Sequence, residues 1–238
     1  MQGWRYAIYL VGRFSLRRGP QPVKVPIGSA RVLAFLALHR NPQPRSYVAG
    51  NLWPELSEAR ARANLRNALW RTQPLGDDLL ICHADSIELG PEVEVDVDAV
   101  RAAAESLMAP AGLAQPFPHA EKFGHELLAD WTDDWVLYER ERLNQLCVHA
   151  LEALSTHNLR AGNYASAIDN ALLAVRREPL RESAHRAVTR AHLAEGNVAS
   201  ARQQFDRYAA LVQAELGIRP SDEFVDLVTS TTREAMLA

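Results

Sequence analysis

The chain has only two cysteines, Cys82 and Cys147, and they form no Cys-x-x-Cys spacing. A disulfide-stapled scaffold is excluded, and a reducing setting is expected. Also missing is any apolar run near the roughly 18 residues that a membrane span requires. The most apolar stretch, Val32 to Leu38, is bounded by Arg31 and by His39-Arg40. The N-terminal residues, Met-Gln-Gly-Trp-Arg-Tyr, have neither the apolar core nor the small-residue cleavage site of a signal peptide. Cytoplasmic residence is the expectation.

Signatures of catalysis and of metal binding are absent too. The eight histidines, at 39, 83, 119, 125, 149, 157, 185 and 192, form no His-Glu-x-x-His, no Cys-His cluster and no i, i+4 pair. Glu139 and Glu141 alternate with Arg140 and Arg142 beside Asp133-Asp134, which reads as solvated helix charge rather than as paired catalytic carboxylates. No Ser/His/Asp or Cys/His arrangement has supporting local context. Neither an enzyme nor a cofactor or metal is expected.

Positive charge is nearly absent from residues 76 to 136, which hold two basic and fourteen acidic residues. It is concentrated in residues 1 to 75, where twelve Lys and Arg face only Glu55 and Glu58. The formal net charge of −3 over 238 residues therefore conceals a segment of +10 joined to one of −12. Such asymmetry points to a nucleic-acid surface in the first third. The acidic stretch is expected to lie away from the duplex, partly packed on the helical part of the chain.

In the basic segment, Tyr6 to Leu16 has the aromatic and β-branched pattern of a strand, broken at Arg17-Arg18-Gly19-Pro20, and Pro22 to Pro26 is a second extended piece. Three helices should follow. Ala30 to His39, capped by Ser29, is apolar on most sides and so buried; Arg45 to Trp53 ends at Pro54, with Leu52 and Trp53 in the core. The third runs from Ser57 to Thr72, with Ser57 as its cap and Glu58 in its first turn. Leu79 to Cys82 and Ile87 to Leu89 then fit a hairpin around His83-Ala84-Asp85-Ser86. A strand pair, three helices and a hairpin is the order of a winged helix with an extra N-terminal sheet.

At 100° per residue, Ala61, Leu65, Ala68, Leu69 and Thr72 form one narrow face of the third helix. The other side presents Arg60, Asn64, Arg66, Asn67, Trp70 and Arg71, with Arg62 on a flank. Arg and Asn make bidentate contacts to guanine and adenine edges in the major groove, so this face is the candidate reader of double-stranded DNA. Asn64 equally suits a bond back to its own scaffold. Trp70 suits either contact with a thymine methyl or packing beneath the hairpin. Arg45, Ser46 and Tyr47 open the second helix, and Arg31 lies near the start of the first, where amides and dipole favour phosphate. The hairpin tip has no Arg or Lys and one Asp, so a basic minor-groove contact by the wing is not expected.

Past Pro91 the pattern is wholly helical: Val97 to Met108, a break rich in proline (Pro110, Gly112, Pro116, Pro118), then Trp135 to His157 and onward. Gly162-Asn163 and Gly196-Asn197 lie 34 residues apart, each glycine followed five residues later by Ala167 or Ala201. That is the tetratricopeptide period. Leu146 to Pro179 and Leu180 to Gln213 read as two repeats without the signature Trp, with helices from Glu121 to Leu143 stacked before them. The fold class is mainly α with a small β part, divided into a winged helix over 1–92 and a tetratricopeptide-like helical domain over 93–238.

Several segments in order carry a family likeness: Leu-Ala-Phe-Leu-Ala-Leu-His-Arg (33 to 40), Leu-Trp-Pro (52 to 54), Asn-Leu-Arg-Asn-Ala-Leu-Trp-Arg (64 to 71), Asp-Trp-Val-Leu-Tyr-Glu-Arg-Glu-Arg-Leu (134 to 143), Glu-Pro-Leu-Arg-Glu-Ser-Ala-His-Arg (178 to 186), Ala-His-Leu-Ala-Glu-Gly-Asn (191 to 197) and Glu-Leu-Gly-Ile-Arg-Pro-Ser (215 to 221). Together they resemble the antibiotic regulatory protein, or SARP, family of bacterial transcriptional activators. The resemblance implies an OmpR-like winged helix followed by a bacterial transcriptional activator domain. It further implies binding to tandem direct repeats by at least two protomers, a homodimer on DNA being one form, and recruitment of RNA polymerase holoenzyme to natural-product genes. Larger relatives append an ATPase module; with no Gly-x-x-x-x-Gly-Lys-Ser/Thr loop, this chain resembles the small, stand-alone members. Two readings stay open beside it: a repeat-type protein-interaction scaffold whose winged helix no longer binds DNA, and a repressor using the same DNA-binding fold.

Overall fold

The structure, a computed structural model, describes residues 5–108 and 123–237, with side chains through residue 229. The expected proline-rich break at Pro110, Gly112, Pro116 and Pro118 lies outside the described residues, as do His119 and Glu121. The order of elements is β1 (Tyr6–Tyr9), β2 (Ser15–Arg18), β3 (Gln21–Val23), α1 (Ile27–His39), β4 (Gln43–Pro44), α2 (Arg45–Leu52), α3 (Glu58–Trp70), β5 (Leu80–Cys82), β6 (Ser86–Leu89), β7 (Glu94–Val95), α4 (Asp96–Met108), α5 (Asp134–Arg160), α6 (Tyr164–Arg177), α7 (Glu182–Ala194), α8 (Val198–Leu216) and α9 (Asp222–Leu237). Two compact units result, Met1–Arg101 with His125–Leu143, and Ala102–Gly124 with Asn144–Ala238.

The first unit carries a sheet of order β3-β2-β1-β7 and a second of order β4-β6-β5. The single strand expected over Tyr6 to Leu16 is two antiparallel ones, because Gly12, at φ +95°, turns the chain where a residue with a Cβ is strained. Arg17 and Arg18, expected in the break, belong to β2, and their guanidinium groups lie over the Tyr9 and Tyr6 rings at 5.5 Å. The chain past Pro91 is not wholly helical, since β7 pairs parallel to β1 before α4 begins. Asp96 then locks this edge, its carboxylate accepting from the amides of Leu10 (2.8 Å) and Val11 (3.1 Å).

α1 begins three residues before its expected start, with Pro26 at the cap position. Ser29 is therefore not a cap. It sits inside the helix, fully buried, and its Oγ donates to the Ala68 carbonyl at 2.9 Å, fastening α1 to α3. Val32, Leu33, Phe35 and Leu36 are at most 1% exposed, and each such side chain stabilises the unit by about 1.5–3 kcal/mol relative to exposure. Leu52 and Trp53 join this core as expected. Of the helices expected from Glu121 to Leu143, the described residues show α5 from Asp134 onward, and Leu127 to Trp131 form an irregular segment whose carbonyls at Leu127, Leu128 and Trp131 all accept from the Arg140 guanidinium.

In the second unit, the 34-residue spacing has a structural counterpart. Gly162 (φ +75°) and Gly196 (φ +84°) both take the left-handed conformation, and Asn163 and Asn197 both stand at φ −85°, ψ 65°. The Asn163 and Asn197 amides each donate, at 2.8 Å, to the carbonyl five residues back, at Asn158 and His192. Ala167 and Ala201 are fully buried, as close helix packing demands.

Candidate nucleic-acid interface

The candidate reader is α3, and its buried side explains its placement. Ala61, Leu65, Ala68 and Leu69 are buried. At the far end Thr72 is also buried, its Oγ1 donating to the Leu69 carbonyl at 2.7 Å. Ser57 stands at the cap position with extended backbone, but its side chain makes no cap hydrogen bond. With one face seated this way, Arg60, Arg62, Arg66, Asn67, Trp70 and Arg71 are all exposed and Asn64 is half-buried.

These cations are not equally available. Arg62 is held by Glu58 one turn earlier at 2.6 Å. Among the described residues Arg60, Arg66 and Arg71 have no ion-pair partner. Trp70 is 70% exposed, which removes packing beneath the hairpin and leaves a large apolar surface among the free guanidiniums. Beside it opens a cleft of about 480 Å³ lined by Arg45, Arg66, Trp70, Gln73, Asp77 and Cys82 among others.

The second helix contributes unequally. Arg45 donates from Nε (3.2 Å) and Nη2 (3.0 Å) to the His83 carbonyl, and its amide donates to the Asp85 carbonyl at 2.8 Å. It thereby ties α2 to the hairpin tip, a role that local sequence gives no means of reading. Ser46 is exposed. Tyr47 packs near Phe35 and His39, with ring centroids at 6.0 and 6.4 Å. Arg31 is used internally: its guanidinium donates to Asp133 and to the Leu52 carbonyl, lies over Trp53 and is 22% exposed. The structure thus directs Arg31 away from phosphate anchoring, because its charge is already matched by a carboxylate.

Several acidic residues of 76 to 136 pair with cations of the first unit. Glu92 pairs with Arg5 (3.3 Å), Asp98 with Arg40 (3.2 Å) and Asp133 with Arg31, and Glu88 faces the His83 Nε2 (3.2 Å). All of these partners lie in the first unit and none is a side chain of α3, whereas Asp77 lines the cleft beside Arg66 and Trp70. Among the described residues no group of three His, Cys, Asp or Glu side chains is placed to hold a metal ion, and no helix is long and apolar enough to cross a membrane.

Residues 92–230 match the family model described as bacterial transcriptional activator domain. No curated protein sequence matches the chain. Among solved structures, Mycobacterium tuberculosis EmbR in complex with low affinity phosphopeptide is similar, at 19% identity and a TM-score of 0.79, over 97% of this chain and 66% of that one. This chain therefore spans just under two thirds of the EmbR chain, and at that identity the likeness is one of fold. With the family model covering more than half of the residues, and a winged helix folded ahead of the matched region, the chain belongs to the bacterial transcriptional activator domain family.

Proposed function

We propose that the protein is a sequence-specific DNA-binding activator whose helix α3 enters the major groove. The observation that carries this reading is the division of α3: an apolar face seated in the core, and an outer face on which Arg60, Arg66 and Arg71 have no ion-pair partner among the described residues. Free guanidiniums on a rigid helix supply both the salt-dependent attraction to phosphate and the bidentate contacts to base edges. Asn64, Asn67 and Trp70 add base-edge and thymine-methyl contacts, while Arg62, Arg45 and Ser46 track the backbone. Tyr47 stands at their border, and Arg31 supports the site only through the core.

Residues 1–92 act as the DNA-binding domain and 93–238 as the activator domain, a division supported by a family match that starts at residue 92. Two protomers occupy tandem direct repeats, as a homodimer on DNA, and recruit RNA polymerase holoenzyme to natural-product genes in the cytoplasm. The test is a gel-shift across promoter fragments at several salt concentrations with Arg66→Ala and Arg71→Ala. Loss of a base-edge contact costs about 1–3 kcal/mol, and loss of a phosphate contact lowers the salt slope by about one. Undiminished binding by both variants refutes the assignment of α3. In-vitro transcription with purified polymerase then separates activation from occlusion: more transcript with the protein present supports the former, less the latter.

A further inference from the structure

A second cleft in the first unit has a chemistry unlike that of the α3 face. It measures about 410 Å³, within the range of small-molecule sites, and no Lys or Arg lines it. Its walls are His39, Tyr47, Trp135 and Tyr138, over Phe35, with Asp134 and Glu139 as the charged groups. Tyr47 is 49% and Tyr138 72% exposed, so two aromatic rings flank the opening, whereas Trp135 is buried behind them.

The charges at this cleft are unequal. Glu139 is satisfied by Arg101 at 3.1 Å and is nearly buried. Asp134, the first residue of α5, is exposed and has no ion-pair partner among the described residues. The His39 ring stacks on Phe35 at 4.1 Å, and its Nδ1 lies 2.8 Å from the Phe35 carbonyl, which can only accept. Nδ1 is therefore the protonated nitrogen, which leaves the neutral ring's Nε2 as an acceptor. Aromatic faces, an acceptor nitrogen and a carboxylate without an ion-pair partner among the described residues together favour a cation and disfavour an anion.

We propose that this cleft is a binding site for a small organic ammonium ion carrying an aromatic or other apolar body. The ammonium group sits by Asp134 and the apolar body lies among Tyr47, Tyr138 and Trp135. The site stands on its own geometry and does not depend on what α3 binds. Its occupant does touch α2, through Tyr47, which gives a route by which a ligand influences the winged helix.

The test uses the full chain and three probes of equal size and different charge: 2-phenylethylammonium, 2-phenylethanol and phenylacetate. Binding is followed by saturation-transfer NMR with titration. The expected order of affinity is ammonium, then alcohol, then carboxylate, with dissociation constants in the millimolar range for ligands this small. Asp134→Asn should weaken the ammonium about three- to fivefold while leaving the alcohol unchanged, and Tyr138→Ala should weaken both. Both positions are exposed, and circular dichroism checks that the variants fold. Equal affinity for the three probes, an ammonium affinity untouched by Asp134→Asn, or no saturable binding by about 10 mM overturns the proposal.

Discussion

Ser155 and Thr189 stand 34 residues apart, at equivalent places in the repeated helix pairs, and differ by one hydrogen bond. Ser155 Oγ donates to the Ala167 carbonyl at 2.8 Å, whereas Thr189 Oγ1, in a residue wholly buried, has no partner among the described residues. Opposite outcomes follow from removing the two hydroxyls. Ser155→Ala deletes a satisfied buried bond and should cost about 1 kcal/mol. Thr189→Val keeps the branched shape and removes a hydroxyl that left water without finding a partner, a situation that costs about 1–3 kcal/mol, so the variant should gain about 1 kcal/mol. The expected separation is about 2 kcal/mol, or roughly 4–8 °C in unfolding temperature for a chain of this size. Urea titration followed by circular dichroism reads it as shifts of the midpoint in opposite directions at unchanged slope. A Thr189→Val variant less stable than the parent refutes the reasoning, since it would mean that the hydroxyl is satisfied.

Other outcomes can be stated from single contacts. Gly196→Ala meets no steric obstacle, as nothing lies within 4 Å of the added Cβ, but its φ of +84° should cost about 1 kcal/mol or more, and an unchanged urea midpoint counts against this. Arg31→Ala should lose about 2 kcal/mol, from its bonds to Asp133 and the Leu52 carbonyl, and leave the salt slope of DNA binding as it was; a smaller slope would return Arg31 to the phosphate contacts. Burial holds His185 below its ordinary pKa of 6.5, against the pull of the Pro179 carbonyl it bonds. The folded form then binds fewer protons, so this contribution is complete above about pH 6.5 and declines as pH falls below it. His185→Gln should flatten that decline in urea titrations at pH 7.5 and 5.5, and an equally steep decline in the variant rejects the assignment.

Features governed by local rules were the ones legible from residues alone. The repeat was readable because a left-handed turn selects glycine, which marks Gly162 and Gly196 in the sequence as plainly as in the fold. α3 was readable because Ala61, Leu65, Ala68 and Leu69 recur at helical spacing and nothing else competes for that face. Ser29 departs from the expected cap for a definite reason: a serine just before an apolar helical run satisfies the capping rule, and its actual partner, the Ala68 carbonyl, lies 39 residues away. The same holds for Arg31 and Asp133, separated by 102 residues. The turn at Gly12 was hidden because the strand-like residues on both sides of it make one continuous pattern.

That last class of contact bears on the site itself. The +10 of the first 75 residues overstates the charge available to DNA, since Arg5, Arg31 and Arg40 are paired with Glu92, Asp133 and Asp98. The acids that follow in sequence are what tie up these three cations. None of the ion pairs reaches Arg60, Arg66 or Arg71 among the described residues. Folding thus neutralises Arg5, Arg31 and Arg40 elsewhere in the unit and leaves Arg60, Arg66 and Arg71 of α3 exposed without ion-pair partners among the described residues, as it does Arg13, Arg17, Arg18 and Lys24 outside α3. The field of the three α3 arginines has the short reach that a Debye length of about 8 Å at physiological salt imposes, so each group of unpaired cations acts on what lies directly against it. On the proposed reading, the three unpaired arginines on one rigid helix contribute where base edges are read, and the unpaired cations outside α3 contribute at most to the sequence-independent attraction to phosphate.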